Sequence, residues 1–362
     1  MFIMNKKLKT YLYDIAYSPL FDDAFSFVGG KRVWADYRVR QEKKRLLANA
    51  KKEYEKGSTL GSLEDYKQAL DKHWISYNEY ALQYDFPHLS EHEREEFVTR
   101  LKMVYFHWRF VPWTCKSIFR NKQVFLRYFE KYIHRRWLFS PDASFEEFKD
   151  LILAFDCIVK PCDEMRGKGI FKVKKNSITD IKALYESCKN DRLLVEQCIE
   201  SCEEIKAFHP QSLNTIRVVT VSNRRKAEVF GSFLRMGVGD SVIDNAHAGG
   251  IFAHININNG EIDTDGINTD GHQFTYHPDS KLKIKGFVVP QWDLICRTCI
   301  EAAMLTDNTI TGWDVIINQR GEVEFVEGNN GPDFDVMQSP LKVGVKKQIY
   351  ALIKEYRGVE LD

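Results

Sequence analysis

The sequence predicts an α+β protein, with a mostly helical front followed by mixed strands and sparse helices. Three observations predict this. Charged segments with apolar residues at helical spacing fill the first third of the 362 residues. Short β-branched runs begin at residue 157 and recur as far as residue 327. Turn-forming glycine and asparagine separate those runs. The expected organisation is a helical region over 1–110, a first α/β subdomain over 111–205 and a second over 206–362.

The elements follow in order. Residues 33–57 form a charged helix that Gly57 stops. Residues 62–86 repeat the pattern and end before Pro87. Ser90 with Glu93 makes a capping box that opens a helix running to Trp108. The many aromatics of this front half, at helical spacing, read as core. Another helix covers 121–139 and leads into a short extended piece. Ser144 with Glu147 caps the next helix. "CIVKP" (157–161) is a strand, and "CDEMRGKGIFKVKK" (162–175) is a glycine-containing loop and a second strand. A helix over 178–188, capped by Ser177 and Asp180, precedes the buried-type strand "RLLVEQCI" (192–199). Strands 215–222 and 226–238 pair across Asn223–Arg225, and Asn259-Gly260 is a hairpin turn. A helix near 291–306 precedes a last hairpin, and a helix over 340–356 closes the chain.

Composition narrows the function. A net charge of +1 gives no case for nucleic-acid binding. The charge is uneven, however: residues 1–150 hold 27 Lys/Arg against 21 Asp/Glu, while 151–362 hold 25 against 30. A basic, aromatic front half fits an anionic partner, such as a phosphorylated carrier or a membrane surface. A solvated helical face accounts for the same residues. No stretch has the apolar length of a membrane span. The N-terminal residues do not read as a signal peptide, and the eight cysteines have no framework spacing. Reduced thiols in the cytoplasm are expected, with the inner face of the membrane as a peripheral alternative. Cys296 and Cys299 form a CxxC without a second pair.

Four places carry chemistry. In "VKPCDEMRGKGIFKV", Lys160 ends a strand, and Gly167 and Gly169 flank Lys168. Free amides, small residues and cations suit a phosphate chain, although a basic hairpin turn uses the same residues. Arg217 lies in an otherwise β-branched strand, where a guanidinium needs an anion, either a ligand or a structural carboxylate. Third, "GWDVIINQRGEVEFVEGNNGPD" reads as a hairpin with Asp314 early in one strand and Glu327 late in the other. Counted from the turn, the two are out of register by two residues, within reach of a bulge. Asn329 follows, and Asp, Glu and Asn are hard oxygen ligands of the kind that hold Mg²⁺ beside nucleotide phosphates. Gly328 is expected to bend the backbone so that Glu327 and Asn329 face the same way. "NAHAGGIFAHIN" (245–256) offers Gly249-Gly250 amides, with Asn245 or His247 as substrate contacts, or is a plain glycine turn.

The order Lys160, glycine loop, Glu196 strand, Asn214/Arg217 strand, Asp314, Glu327-x-Asn329 resembles the ATP-grasp superfamily. "SLNTIRVVTV", "NAHAGGI" and the final hairpin are similar to its sugar-transfer-associated family, over about residues 75–350. The resemblance implies an ATP-grasp fold, two α/β subdomains clasping ATP. It implies that Lys160 and a loop lysine, Lys168 or Lys172, contact the phosphates. Glu196 begins the adenine hinge, with backbone groups of Gln197, Cys198 and Ile199 facing the base. Glu203 or Glu204 takes the ribose. Asp314, Glu327 and Asn329 hold Mg²⁺, and Arg217, with Lys160 and Lys168, stabilises the transferring phosphoryl group. The implied activity is an ADP-forming carboxylate–amine ligase of capsule or exopolysaccharide biosynthesis, with sugar-linked or small-molecule carboxylate and amine substrates. Its implied partners are a glycan carrier or membrane-associated polysaccharide machinery. The alternatives are a phosphotransferase acting on a sugar hydroxyl and a non-catalytic glycan- or carrier-binding protein.

Overall fold

The structure is a computed structural model that describes residues 29–58, 61–163, 169–175, 177–241 and 249–361. The front of the chain is helical: α1 (Gly30–Glu55), α2 (Leu63–His73), α3 (Glu91–Glu95), α4 (Arg100–Phe110), α5 (Trp113–Arg120) and α6 (Lys122–Tyr128). Buried aromatics such as Tyr66, Tyr84, Phe86 and Phe97 make its core.

Helices expected to be continuous are broken here, and tertiary partners break them. The helix begun at Ser62 stops at His73 because other groups take its last carbonyls. Thr99 Oγ1 donates to His73 O at 2.6 Å, and Leu101 N–H donates to Trp74 O at 3.0 Å. The helix begun by the Ser90–Glu93 capping box lasts five residues. Beyond it, the Gln338 amide binds both backbone groups of Val98, at 2.9 and 3.0 Å. The final helix is also two, α11 (Asp335–Leu341) and α12 (Lys346–Arg357). Between them Gly344 lies against the Glu96 backbone, where a Cβ would come within 2.2 Å.

Two antiparallel sheets follow. The smaller has the order β1-β4-β2-β3, from β1 (Trp137–Phe139), β2 (Cys157–Pro161), β3 (Phe171–Val173) and β4 (Leu193–Gln197). Cys157, Val159 and Val195 point to one face and pack on Phe148 and Leu151 of α7 (Phe145–Ala154) and on Tyr185 of α8 (Ile181–Asn190). Strand alternation therefore turns Lys160 and Glu196 to the opposite face.

The larger sheet runs β11-β10-β5-β6-β7-β8-β9. Its strands are β5 (Ile216–Ser222), β6 (Ala227–Met236), β7 (Ile251–His254), β8 (Gly266–Ile267), β9 (Gln273–Phe274), β10 (Ile310–Ile317) and β11 (Val323–Asn329). One face, with Val218, Leu234, Trp313 and Val315, packs on Ile295 and Cys299 of α10 (Trp292–Met304). The other face is divided. Val219, Val221 and Ile310 lie under α4 and α12, whereas Arg217, Asp314 and Glu327 occupy the end left uncovered by this cluster.

Candidate functional site

The β10–β11 hairpin makes the two carboxylates partners. Asp314 pairs with Glu327 in the ladder, and Val315 pairs with Phe325, so Val326 is an extra residue. The turn is offset by one residue, Ile317 pairing with Val323, and this bulge supplies the second. Together they absorb the two-residue mismatch. Gly312 pairs with Asn329, so Glu327 and Asn329 share a face by ordinary alternation. Gly328 is therefore not a bend. It sits on the opposite face, where a Cβ would come within 2.6 Å of the Phe125 ring and 2.8 Å of the Phe119 ring. Gly328→Ala should cost about 1–3 kcal/mol through overpacking, read as a lower urea midpoint.

Asp314 is the electrostatic centre. Arg217 grips it with two hydrogen bonds, from Nε to Oδ1 and from Nη2 to Oδ2, the latter at 2.7 Å. Arg235 Nη1 reaches Oδ2 at 3.2 Å. Burial pushes the Asp314 carboxyl up, but Arg217 and Arg235 outweigh it and hold it at about 2. Glu327 is the opposite case. Solvent reaches its side chain, yet protein crowds it closely. Desolvation, and then the Asp314 charge, raise its carboxyl above the ordinary 4.5. Asn329 Nδ2 lies 3.5 Å from Glu327 Oε1.

The smaller sheet presents a second charged group. Lys160 Nζ lies 2.5 Å from Glu196 Oε1, a contact of charge more than of a directed hydrogen bond. The other Glu196 oxygen accepts from Arg135 Nε at 2.5 Å. Burial pushes Glu196 up, but Lys160 and Arg135 outweigh it and hold it at about 2. Its side chain is thus a buried counter-ion to Lys160 and Arg135. Arg135 also crosses to the larger sheet, where its Nη1 donates to Glu324 Oε1 at 3.1 Å and to Phe325 O at 2.7 Å. One buried guanidinium therefore joins the strand of Glu196 to the strand of Glu327.

The remaining expected residues are dispersed. Lys168, Asn245 and His247 lie outside the described residues. Lys172 is turned to Asp156 at 3.3 Å. At the expected hinge, Gln197 N–H donates to Arg136 O and Cys198 N–H to Asp156 O, both at 2.8 Å. Ile199 makes no backbone hydrogen bond among the described residues. Glu203 is exposed at the start of α9 (Glu203–Lys206), 3.4 Å from Gln319 Nε2. Asn214 is a structural anchor: at φ 49°, its side chain accepts from Gly237 N–H and donates to the carbonyls of Ile205 and His209.

Sequence reasoning missed three cations: Lys122, Arg135 and Arg235. Lys122 opens α6 after its cap Asn121, and its N–H donates to Cys162 O at 2.9 Å. Burial, and then the charge of Lys160, lower its pKa, while Glu327 opposes them. Its ammonium therefore feels both charged groups. Arg235 breaks the apolar strand "SFLRM" just as Arg217 breaks its own, and could have been found by the same test. Nothing local separates Arg135 from Arg136.

Acid should expose these pairings. Glu196 and Asp314 are held at about 2, against ordinary values of 4.5 and 3.8. Folded values below unfolded ones give stability that is complete above the unfolded values and is lost as pH falls through the folded ones. The urea midpoint should therefore fall steeply from about pH 4.5 toward about pH 2, and a flat profile would count against these pairs.

The family model for "sugar-transfer associated ATP-grasp" matches residues 132–353. No curated protein sequence matches the chain. Among solved structures, a complex of the ATP-grasp ligase PsnB with a phosphomimetic variant of its minimal precursor, Mg and ADP is similar at 14% identity and TM-score 0.42, covering 70% of this chain and 66% of that one. The ADP complex of purK, an N5-carboxyaminoimidazole ribonucleotide synthetase, is similar at 12% identity and TM-score 0.37, covering 62% and 48%. D-alanyl-alanine synthetase A from Vibrio cholerae is similar at 11% identity and TM-score 0.39, covering 72% and 67%.

Proposed function

Because the chain belongs to the sugar-transfer associated ATP-grasp family, we propose that it is an ATP- and Mg²⁺-dependent ligase of surface-polysaccharide biosynthesis. It activates a carboxylate, of a uronic acid sugar or an amino acid, and joins it to an amine. The observation that carries this reading is the Asp314–Glu327 pair, facing partners in the ladder beside three cations.

The donor set fits a hard cation. Glu327 is raised by its neighbour Asp314, a repulsion that a cation between them relieves. Among the described residues no three His, Cys, Asp or Glu converge, so Asn329, water and phosphate oxygens would complete the shell, the usual habit of Mg²⁺. Bound there, Mg²⁺ would neutralise charge on the transferring phosphoryl group.

The chain's own residues bind and orient. Ile199 offers adenine a backbone amide and carbonyl that no described residue occupies, and Glu203 offers ribose a carboxylate. Lys160 and Lys122 meet the phosphates. When Lys160 turns to ATP, Arg135 remains on Glu196, so that buried carboxylate is not left bare. Arg217 and Arg235 fix Asp314 and present positive charge to the γ-phosphate. A carboxylate oxygen of the substrate attacks the γ-phosphorus and ADP leaves, giving an acyl phosphate. The amine then attacks the acyl carbon, phosphate departs and the amine loses a proton. Such chemistry asks the protein for positioning and charge, which this constellation provides.

Lys122→Ala should raise the KM for ATP by about ten- to a hundredfold, as for loss of one charge-assisted hydrogen bond. The reading itself is tested by ADP release with Mg²⁺ across uronic acid sugars, amino acids and amines, with products read by mass spectrometry. ADP formation that requires both a carboxylate and an amine supports it. A phosphorylated hydroxyl, or no ATP binding, would overturn it.

A further inference from the structure

Helix α1 presents an outward face that the nucleotide site does not use. It has 26 residues, about 39 Å of length. Ala35, Val39, Leu46 and Ala50 turn inward. The exposed positions from 32 to 52 include seven cations, Arg32, Arg38, Arg40, Lys44, Arg45, Lys51 and Lys52, and no carboxylate. Arg45 is tied to Glu42, and Arg38 stacks on Trp108 at 4.6 Å. Of the others, Arg40, Lys44 and Lys51 lie on one side of the helix, which is the side of Val33 and Tyr37, and the exposed Glu55 stands one turn beyond Lys51. At the N-terminal end of the helix lie Val33, Trp34 and Tyr37, exposed by 67%, 37% and 41%. Val33 and Tyr37 are one helical turn apart and so are neighbours.

We propose that this face of α1 docks the protein on an anionic lipid bilayer. The cations meet lipid phosphates, each contributing about a fivefold gain in affinity. Val33, Trp34 and Tyr37 enter the headgroup region, where amphipathic rings and small apolar side chains are favoured. The apolar end is what distinguishes a bilayer from a soluble polyanion, which charge alone would bind. No described helix is long and apolar enough to cross a membrane, so the attachment is to the surface. It stands independently of the reaction proposed above.

The test is co-sedimentation of the full chain with phosphatidylcholine vesicles, with and without about a third phosphatidylglycerol. Binding should require the anionic lipid and weaken with salt. Arg40→Glu with Lys44→Glu should reduce it by about twentyfold or more. Val33→Ser with Tyr37→Ser should reduce it by about tenfold, with the thermal midpoint unchanged in both variants. No sedimentation with anionic vesicles would overturn the proposal. So would variants that bind like the parent chain, or binding that is indifferent to Val33 and Tyr37 and fully displaced by heparin, which marks a polyanion site.

Discussion

Glu327→Gln should lower ATP-dependent turnover by at least about 10²–10³-fold while leaving the fold as stable as before, or more so. The two halves of this expectation share one cause. Glu327 faces Asp314, and their charges conflict until a cation enters. A folded value above the unfolded one means that the neutral form fits the folded chain, and that this contribution is lost as pH rises through the folded value. Glutamine keeps the shape and removes the conflict, so the urea midpoint near neutral pH should hold or rise. If Glu327 holds Mg²⁺ as proposed, the same change removes an anionic ligand, so Mg²⁺-dependent ATP binding and turnover should collapse. Unchanged turnover would show that Glu327 is not part of the site. A falling midpoint would show that the carboxylate is structural.

Arg135→Met should be the most damaging single change to stability, by about 3–5 kcal/mol. Arg135 is buried, and it holds Glu196 of one sheet together with Glu324 and Phe325 O of the other. Methionine fills part of the volume but leaves two buried carboxylates short of a partner, and Lys160 can compensate only Glu196. Denaturant unfolding checks the magnitude. Adding Glu324→Gln to the variant should recover part of the loss, because one of the two orphaned charges disappears. An unchanged midpoint in Arg135→Met would mean that the two sheets do not depend on this tie.

What was legible in the sequence was mostly local. Asp314 and Glu327 lie on one hairpin, so counting residues from a turn brought them together. The capping boxes at Ser90 and Ser144 are likewise events within four residues, and both form. What was illegible depended on distant partners. Helix ends at His73 and Glu95 are set by Thr99, Leu101 and Gln338, which no local pattern announces. Glu196 could be placed on a strand but not assigned its counter-ions, because Arg135 is 61 residues away. Gly328 is expected to bend the backbone, whereas its constraint comes from two phenyl rings of α5 and α6. The ATP-grasp fold, by contrast, was recognisable from the order of the strand motifs, and the match over residues 132–353 agrees.

The central claim is that a carboxylate is activated by the γ-phosphate of ATP in front of the Asp314–Glu327 pair. The most direct measurement follows a heavy-oxygen label in the carboxylate substrate through one turnover. An acyl phosphate intermediate requires one labelled oxygen to leave in the released phosphate, while the amide product keeps the other. That is the predicted result, and it should vanish in Glu327→Gln. Phosphate released without label, or a product that keeps both labelled oxygens and carries the phosphoryl group, would contradict the account.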